Sequence, residues 1–276
     1  MQKACVCPIC SAENPRFVLR SDADIYRCSS CYHVFSDPAS ITRNEKYAKE
    51  YYESEHKNWF DNPDINLFSW INSVLPKTTE SILDVGCGNG AFLRYIKDNA
   101  PSIKRLVGVD YSLNKSIPEI EFITGDAANI PGNEKFDVVV SLAVIEHVHD
   151  PVDFARILAE RCKVGGDVVT MTLNNSSLLY RIARVMHRCG MVTPAARLYS
   201  LHHLQHFTIS SLRSTLERAG LNIIATRNHN PPFAAIDFPS NNFVKRCVFI
   251  VGLIGLLFLG SLSGMAYLQT VVARRV

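Results

Sequence analysis

The sequence predicts a doubly wound α/β fold, with a small metal-bound module before it and an apolar segment after it. Three observations carry this. An apolar strand, Ile82 to Val85, runs through a glycine turn into an amphipathic helix, the opening βα unit of such a sheet. Two CxxC pairs precede that unit. Behind the domain, Cys247 to Val272 is a run of 26 uncharged residues.

Residues 1–38 contain Cys7-Pro-Ile-Cys10 and, after seventeen residues, Cys28-Ser-Ser-Cys31. Each CxxC knuckle aims two thiolates at one point, and two knuckles complete a tetrahedral Zn²⁺ site. The stretch "RFVLRSDADIYRC" between them predicts a short hairpin that brings the knuckles together. A segment of about 35 residues holds too little core to fold unaided, so the metal is expected to supply its stability. Cys5 and His33 lie close by and read as bystanders. Four protein ligands close the coordination sphere, so this zinc is structural rather than catalytic. The start "MQKACVCPIC" lacks the apolar stretch of an export signal. An unexported chain with CxxC pairs is expected to keep its thiols reduced, in the cytoplasm.

Residues 39–75 read as a helical linker and residues 76–238 as the main domain. Helix residues Phe92, Leu93 and Ile96 share the buried side after the turn. The turn glycines, Gly86, Gly88 and Gly90, are spaced GxGxG rather than GxGxxG, and no GK[ST] follows. "RLVGVD" is a second strand ending in Asp110, 26 residues after Asp84. A carboxylate at that strand end can accept both ribose hydroxyls of an adenosyl ligand. "IEFITGD" ends a third strand at Asp126, where an adenine amino group could donate to it. "FDVVVSL" is a fourth strand with a polar exit, "VIEHVHDP". Pro151 to Arg161 is a helix, and "KVGGDVVTMTL" a fifth strand.

In order and spacing, four pieces of this domain resemble class I S-adenosylmethionine-dependent methyltransferases: Leu83-Asp-Val-Gly-Cys-Gly-Asn-Gly90, Asp110, Gly125-Asp126, and Phe136-Asp137 with "VIEHV". The nearest group is the small-molecule one that includes ubiquinone-biosynthesis enzymes, and residues 202–224 continue the likeness. The resemblance implies a Rossmann-like sheet of seven strands with helices on both faces, complete near Phe233 to Phe238. It also implies S-adenosylmethionine as methyl donor. Asp84, Gly86, Cys87, Gly88 and Gly90 would surround its methionine portion, and Asp110 its ribose, with Tyr111 in the same cofactor set. Asp126 and Ala127 would meet the adenine, and Leu142 would line the pocket.

Methyl transfer is an in-line displacement, so the protein mainly aligns the acceptor, excludes water and takes a proton where needed. His147 and His149 are the candidate bases, with Glu146 adjacent; Glu146 and His147 equally suit the start of a helix that supports the cofactor loop. Metal-using ubiquinone-type enzymes carry a carboxylate three residues before this Glu. That position is Ala143, so no catalytic metal is expected. His202 and His206 are four apart and share a face if their stretch is helical.

Residues 176–206 form a basic insertion or lid. Within residues 178–188, Leu178, Leu179, Ile182, Val185 and Met186 recur at helical spacing beside Arg181, Arg184 and Arg188. Such a helix suits a membrane interface, a lid over an anionic acceptor, or ordinary packing. From Val168 onward eleven Arg and Lys face only Glu217 and Asp237, a net +9; residues 1–167 therefore carry −6 of the total +3. Residues 243–273 are read as a membrane segment, with contact over residues 247–272. Twenty-six residues at 1.5 Å each reach about 39 Å against a core of about 30 Å. The segment crosses as one helix, or, broken at Gly260-Ser-Leu-Ser-Gly264, forms a re-entrant or monotopic anchor.

The expectation is a membrane-associated methyltransferase with its catalytic domain facing the cytoplasm. O-methylation of a small or lipid-linked acceptor, an isoprenoid lipid or a polyprenyl-linked glycan intermediate, is the default reaction. One alternative is a ribosomal RNA methyltransferase using the zinc module for substrate recognition. The fourth-strand exit carries no aromatic NPPY-type base-holding motif, so nucleic acid is not the expected partner. The other alternative is a regulatory protein that binds S-adenosylmethionine without catalysis.

Overall fold

The computed structural model describes residues 5–41, 57–111, 116–127, 130–236 and 243–276. In chain order, β1 (Arg16–Arg20), β2 (Asp24–Arg27) and β3 (Val34–Ser36) precede helices α1 (Lys57–Asp61) and α2 (Ile65–Val74). Then come β4 (Ser81–Val85), α3 (Ala91–Asn99), β5 (Arg105–Asp110), β6 (Glu121–Thr124), β7 (Phe136–Leu142), α4 (Pro151–Arg161) and β8 (Cys162–Leu173). The insertion supplies α5 (Leu178–Arg188), α6 (Thr193–Leu198) and β9 (Gln205–His206). The chain continues with α7 (Ile209–Arg218), β10 (Leu221–His229), α8 (Phe243–Leu262) and β11 (Leu268–Arg275). Of the expected helical linker, α1 and α2 are described; residues 42–56 lie outside the described residues.

A seven-stranded sheet runs β10-β11-β8-β7-β4-β5-β6. The β6-to-β8 part is parallel, whereas β11 is antiparallel to both β8 and β10. Alternate side chains serve the two faces. Ile82, Leu106, Val138 and Val169 pack under α2, α3 and α5, while Leu83, Val107, Val139 and Val168 pack under α4 and α7. Strands covered on both faces are apolar at almost every position, which is why β4, β5 and β7 stand out in the sequence. Local signals fix the ends: Asp150 caps α4 through Val152 and Asp153 N–H, and Pro151 starts that helix.

The sheet corrects the reading of residues 243–273. Its seventh strand does not precede Phe238; it is β11, from inside the segment expected in the membrane. Leu268, Val271, Val272 and Ala273 are buried, each at most 2% exposed. Arg274 forks onto the Asp167 carboxylate at 2.9 and 3.1 Å, and the Arg275 guanidinium donates to the Cys162 carbonyl at 2.6 Å. Arg274 and Arg275, just past the uncharged run, therefore brace the sheet. Among the described residues no helix is long and apolar enough to cross a membrane. Topology agrees. A crossing helix of α8's length would leave its far end about 30 Å away, and residues 263–267 reach no more than about 18 Å back to β11. Gly264, at φ +69°, makes the reversal between them.

Two further expectations change. Residues 202–206 are not helical: His206 lies in β9, where it is buried and pairs with Val34 of β3. The insertion does form a helix, α5, but its fully buried positions are Tyr180 and Ala183. Arg184 donates inward to Asn175 and to the Tyr199 hydroxyl at 2.9 Å, a structural role rather than an anion-binding one.

Candidate active site at the carboxyl ends of β4 and β5

Parallel strands β4 and β5 deliver Asp84 and Asp110 side by side, 2% and 7% exposed. The turn leaving β4 has left-handed backbone at Gly86, Gly88 and Gly90 (φ +76°, +52° and +72°). A Cβ at Gly86 would lie 2.2 Å from Val144 Cγ2 and one at Gly90 2.8 Å from Phe122, so sterics as well as φ require glycine. Gly88 N–H donates to Asp110 Oδ2 at 2.9 Å, which fixes the carboxylate at the mouth of the turn. Burial, with Asp110 next, pushes the Asp84 carboxyl up to about 8. Cys87 is buried against Gly108, at the turn's inner side.

The Tyr111 hydroxyl donates to Asp126 Oδ2 at 2.7 Å, which holds its own pKa up at about 12. Ala127 is buried, and the Arg161 guanidinium donates to the Ala127, Ile130 and Gly132 carbonyls, clamping the stretch after β6. Asp137 is elsewhere: it sits at the amino end of β7 and accepts from Ser81 N–H and hydroxyl, far from the glycine turn.

The cavity beside Asp84 is lined by Gly86, Gly88 and Leu142, and by residues that sequence reasoning misses. Trp59 and Phe60 of α1, Met171 of β8, and Pro232 and Ala235 after β10 form its apolar wall. Helix α1 is tied over the turn: the Asn89 side chain donates to the Phe60 carbonyl at 3.1 Å, and Asn62 to the Ala234 carbonyl at 3.2 Å. Asp64 caps α2 through Leu67 N–H and lies 3.3 Å from His229 Nδ1, joining this wall to the sheet. No local pattern marks "KNWFD" as a wall. Its one signal is a pair of aromatic residues without a strand or helix partner in the sequence.

Glu146 and His147 do not line that cavity; they form a 3-10 turn after β7. Glu146 is 2% exposed and accepts from the Thr172 hydroxyl at 2.8 Å; burial raises it to about 7. His147 Nδ1 lies 2.7 Å from the His202 carbonyl, and its ring lies against that of His203. His149 is exposed. The structure thus brings Glu146, His147 and His203 together, with donor atoms within 4.8 Å.

The four cysteines converge as expected. Cys7 and Cys31 sulfurs are 3.5 Å apart, as are those of Cys10 and Cys28, and all four lie within 4.8 Å of one another. A tetrahedral zinc with 2.3 Å bonds requires sulfurs about 3.8 Å apart, so the donor set fits it. Backbone N–H groups of Ser30 and Cys31 point at Cys28 Sγ and lower its thiol to about 7, whereas burial raises the Cys7 and Cys31 thiols. Strands β1 and β2 form the predicted hairpin, and β3 pairs with β9, so the module's sheet is completed from the insertion. His33, buried, contacts Gln205 Oε1 at 3.0 Å and Ser211 at 3.2 Å, which explains a histidine near the cysteines that is no ligand. If the four cysteines hold zinc, chelating it, like Cys28→Ser, is expected to lower the melting temperature by several degrees and to speed hydrogen exchange at residues 203–207. Unchanged exchange there, followed by mass spectrometry, would show the module to be independent of the domain.

Comparison with known proteins extends this geometry. The methyltransferase domain family matches residues 55–226. The ubiquinone biosynthesis O-methyltransferase of Albidiferax ferrireducens is 30% identical over 171 residues, 54% of this chain and 64% of that protein. The chain thus spans just under two thirds of that relative's length. The enzyme of the same name from Paracidovorax citrulli is 24% identical over 233 residues, 76% of this chain and 94% of that one. Among solved structures, a SAM-dependent methyltransferase from Archaeoglobus fulgidus superposes with a TM-score of 0.53 at 16% identity, over 82% of this chain and 99% of that one. A phosphoethanolamine N-methyltransferase from Haemonchus contortus gives 0.55 at 15% identity, over 84% and 60%. At such identities the structures bear on the fold alone.

Proposed function

Because the chain belongs to the methyltransferase domain family, and is a methyltransferase by that membership, we propose that it methylates an oxygen of a small or lipid-linked acceptor, with S-adenosylmethionine as donor. The observation that carries the donor assignment is the pair of buried acids at neighbouring strand ends. An Asp84 carboxyl raised to about 8 marks a site short of positive charge, and S-adenosylmethionine brings a sulfonium and an ammonium. When bound, the donor supplies a methyl carbon made electrophilic by its sulfonium.

The chain's residues then have separable tasks. Gly86, Gly88 and Gly90 let backbone approach the methionine portion, with Asp84 as its counter-charge. Asp110 accepts from the ribose, and Asp126 and Ala127 meet the adenine. Trp59, Phe60, Met171 and Pro232 exclude water from the acceptor side. The apolar wall supports a flat or prenylated acceptor, and the two ubiquinone O-methyltransferase relatives support oxygen as the atom methylated. Glu146 and His147 act from behind the wall, holding residues 202–204 in place: Leu204 N–H donates to the Glu146 carbonyl at 2.8 Å. The test is transfer of label from S-adenosylmethionine to a membrane lipid extract by purified protein. Label found only in aqueous small molecules or RNA overturns the lipid-linked acceptor.

The raised Asp84 pKa predicts a pH dependence. Below pH 8 the carboxyl is protonated in the free protein and must lose its proton to become a counter-charge. Donor affinity should therefore rise up to about tenfold per pH unit between pH 6 and 8 and level off above. Calorimetry in buffers of different ionisation enthalpy would show about one proton released per donor bound at pH 7. Equal affinity at pH 6 and 8 contradicts the assignment of Asp84.

A further inference from the structure

Among the described residues, helix α8 is the one long element whose outward side is apolar rather than polar. Val251, Ile254, Phe258 and Leu262 are 71, 47, 62 and 71% exposed, and their spacing places them on one stripe. Leu253 and Gly260 lie on the opposite, buried side. At Gly260 the helix crosses the start of α5, with Leu178 Cβ 3.7 Å from where a Cβ would stand. The match to the methyltransferase domain family ends at residue 226, before α8.

We propose that α8 is an in-plane docking helix for an anionic lipid bilayer, and that it presents the acceptor cavity to that surface. Charge selects this occupant. From residue 243 onward the chain holds no acid, Lys245 and Arg246 occupy the first turn of α8, and exposed Arg181 stands one turn along α5 from Leu178. A second copy of this acid-free segment offers no counter-charge to its basic residues, whereas the headgroups of an anionic bilayer do. The stripe, about three turns long, suits insertion to the level of the acyl boundary. A direct link to the cavity exists. The Asn230 side chain donates to the Leu257 carbonyl at 2.9 Å and to Ser261, and accepts from Tyr267 N–H. Two residues further, Pro232 lines the cavity. One loop therefore carries both the lipid-facing stripe and the acceptor wall.

This deepens the lipid-linked-acceptor reading, and it is tested apart from donor binding. Purified full chain is sedimented with vesicles of phosphatidylcholine, alone or mixed equally with phosphatidylglycerol. Binding to the mixed vesicles, weakened by salt, is expected. Phe258→Asp combined with Leu262→Asp should reduce it at least about tenfold, with S-adenosylmethionine binding and melting temperature unchanged. A second variant, Phe258→Trp, should show a blue-shifted emission on adding mixed vesicles. Vesicle binding equal in variant and wild type, no binding to either vesicle, or an unshifted tryptophan overturns the proposal. So does a double variant that converts a dimer to a monomer without changing vesicle binding. If donor binding fails while vesicle binding holds, the enzymatic reading falls and the docking surface stands.

Discussion

Ending the chain after Asn242, as one would to remove a membrane anchor, is expected to abolish folding. That truncation removes β11, which lies between β10 and β8, so it opens the sheet in its interior. Leu268, Val271 and Val272 alone bury three large side chains, each worth about 1.5–3 kcal/mol. Both ladders of β11 and the Arg274–Asp167 fork go with them. The loss is comparable to the whole net stability of a domain, about 5–15 kcal/mol. Insoluble expression and no cooperative melt are the expected readouts. The complementary variant replaces residues 243–262 by a short Gly/Ser linker. His229 and Leu268 are register partners, so a short connection can close β10 onto β11. That variant should melt cooperatively. A soluble, cooperatively folded 1–242 chain would refute the role given to β11.

Asp84→Asn should separate stability from function. The wild-type carboxyl ionises near pH 8 when folded but near pH 4 when unfolded. Folding therefore takes up a proton, and the wild type loses stability as pH rises from 4 to 8. Asparagine keeps the neutral shape and removes that slope, so the variant should melt higher than wild type at pH 8. It also lacks the counter-charge for the donor. S-adenosylmethionine affinity is expected to fall about 100-fold, as for loss of a buried charge-assisted contact, and methyl transfer with it. The pH dependence of donor affinity should vanish in the same variant. Calorimetry at pH 6 and 8, beside thermal melts, checks all three, and an unchanged affinity would remove Asp84 from the donor site.

The features legible in the sequence are those it encodes locally. A glycine turn between a buried strand and an amphipathic helix is contiguous, so Asp84, Gly86, Gly88 and Gly90 are placed by the amino-acid order alone. The four cysteines and the acids at the ends of β5 and β6 are similarly compact signals. β11 is hidden because a strand buried on both faces and a membrane-seeking helix are both unbroken apolar runs. Only Gly260, Gly264 and the polar pair Gln269-Thr270 hint at the break. His202 and His206 mislead because their fourfold spacing fits a helix, while β9 exists only through a partner strand far away in sequence. The apolar wall at Trp59 and Phe60 is invisible for the same reason: it is assembled by Asn89 and Ala234 reaching α1 from separate parts of the chain.

The pairing of β3 with β9 also sets a timetable. Ser36 meets His206 across 170 positions of sequence, so the small N-terminal sheet has an open edge for most of the chain's synthesis. Val34 and Phe35 border that edge and stay uncovered until residues 205–206 have emerged. An unpaired apolar strand edge is a template for wrong partners. A metal held by the four cysteines would be the brace available to the nascent chain in this interval, and if that metal is zinc, cells short of it during translation should accumulate aggregate rather than merely less active protein.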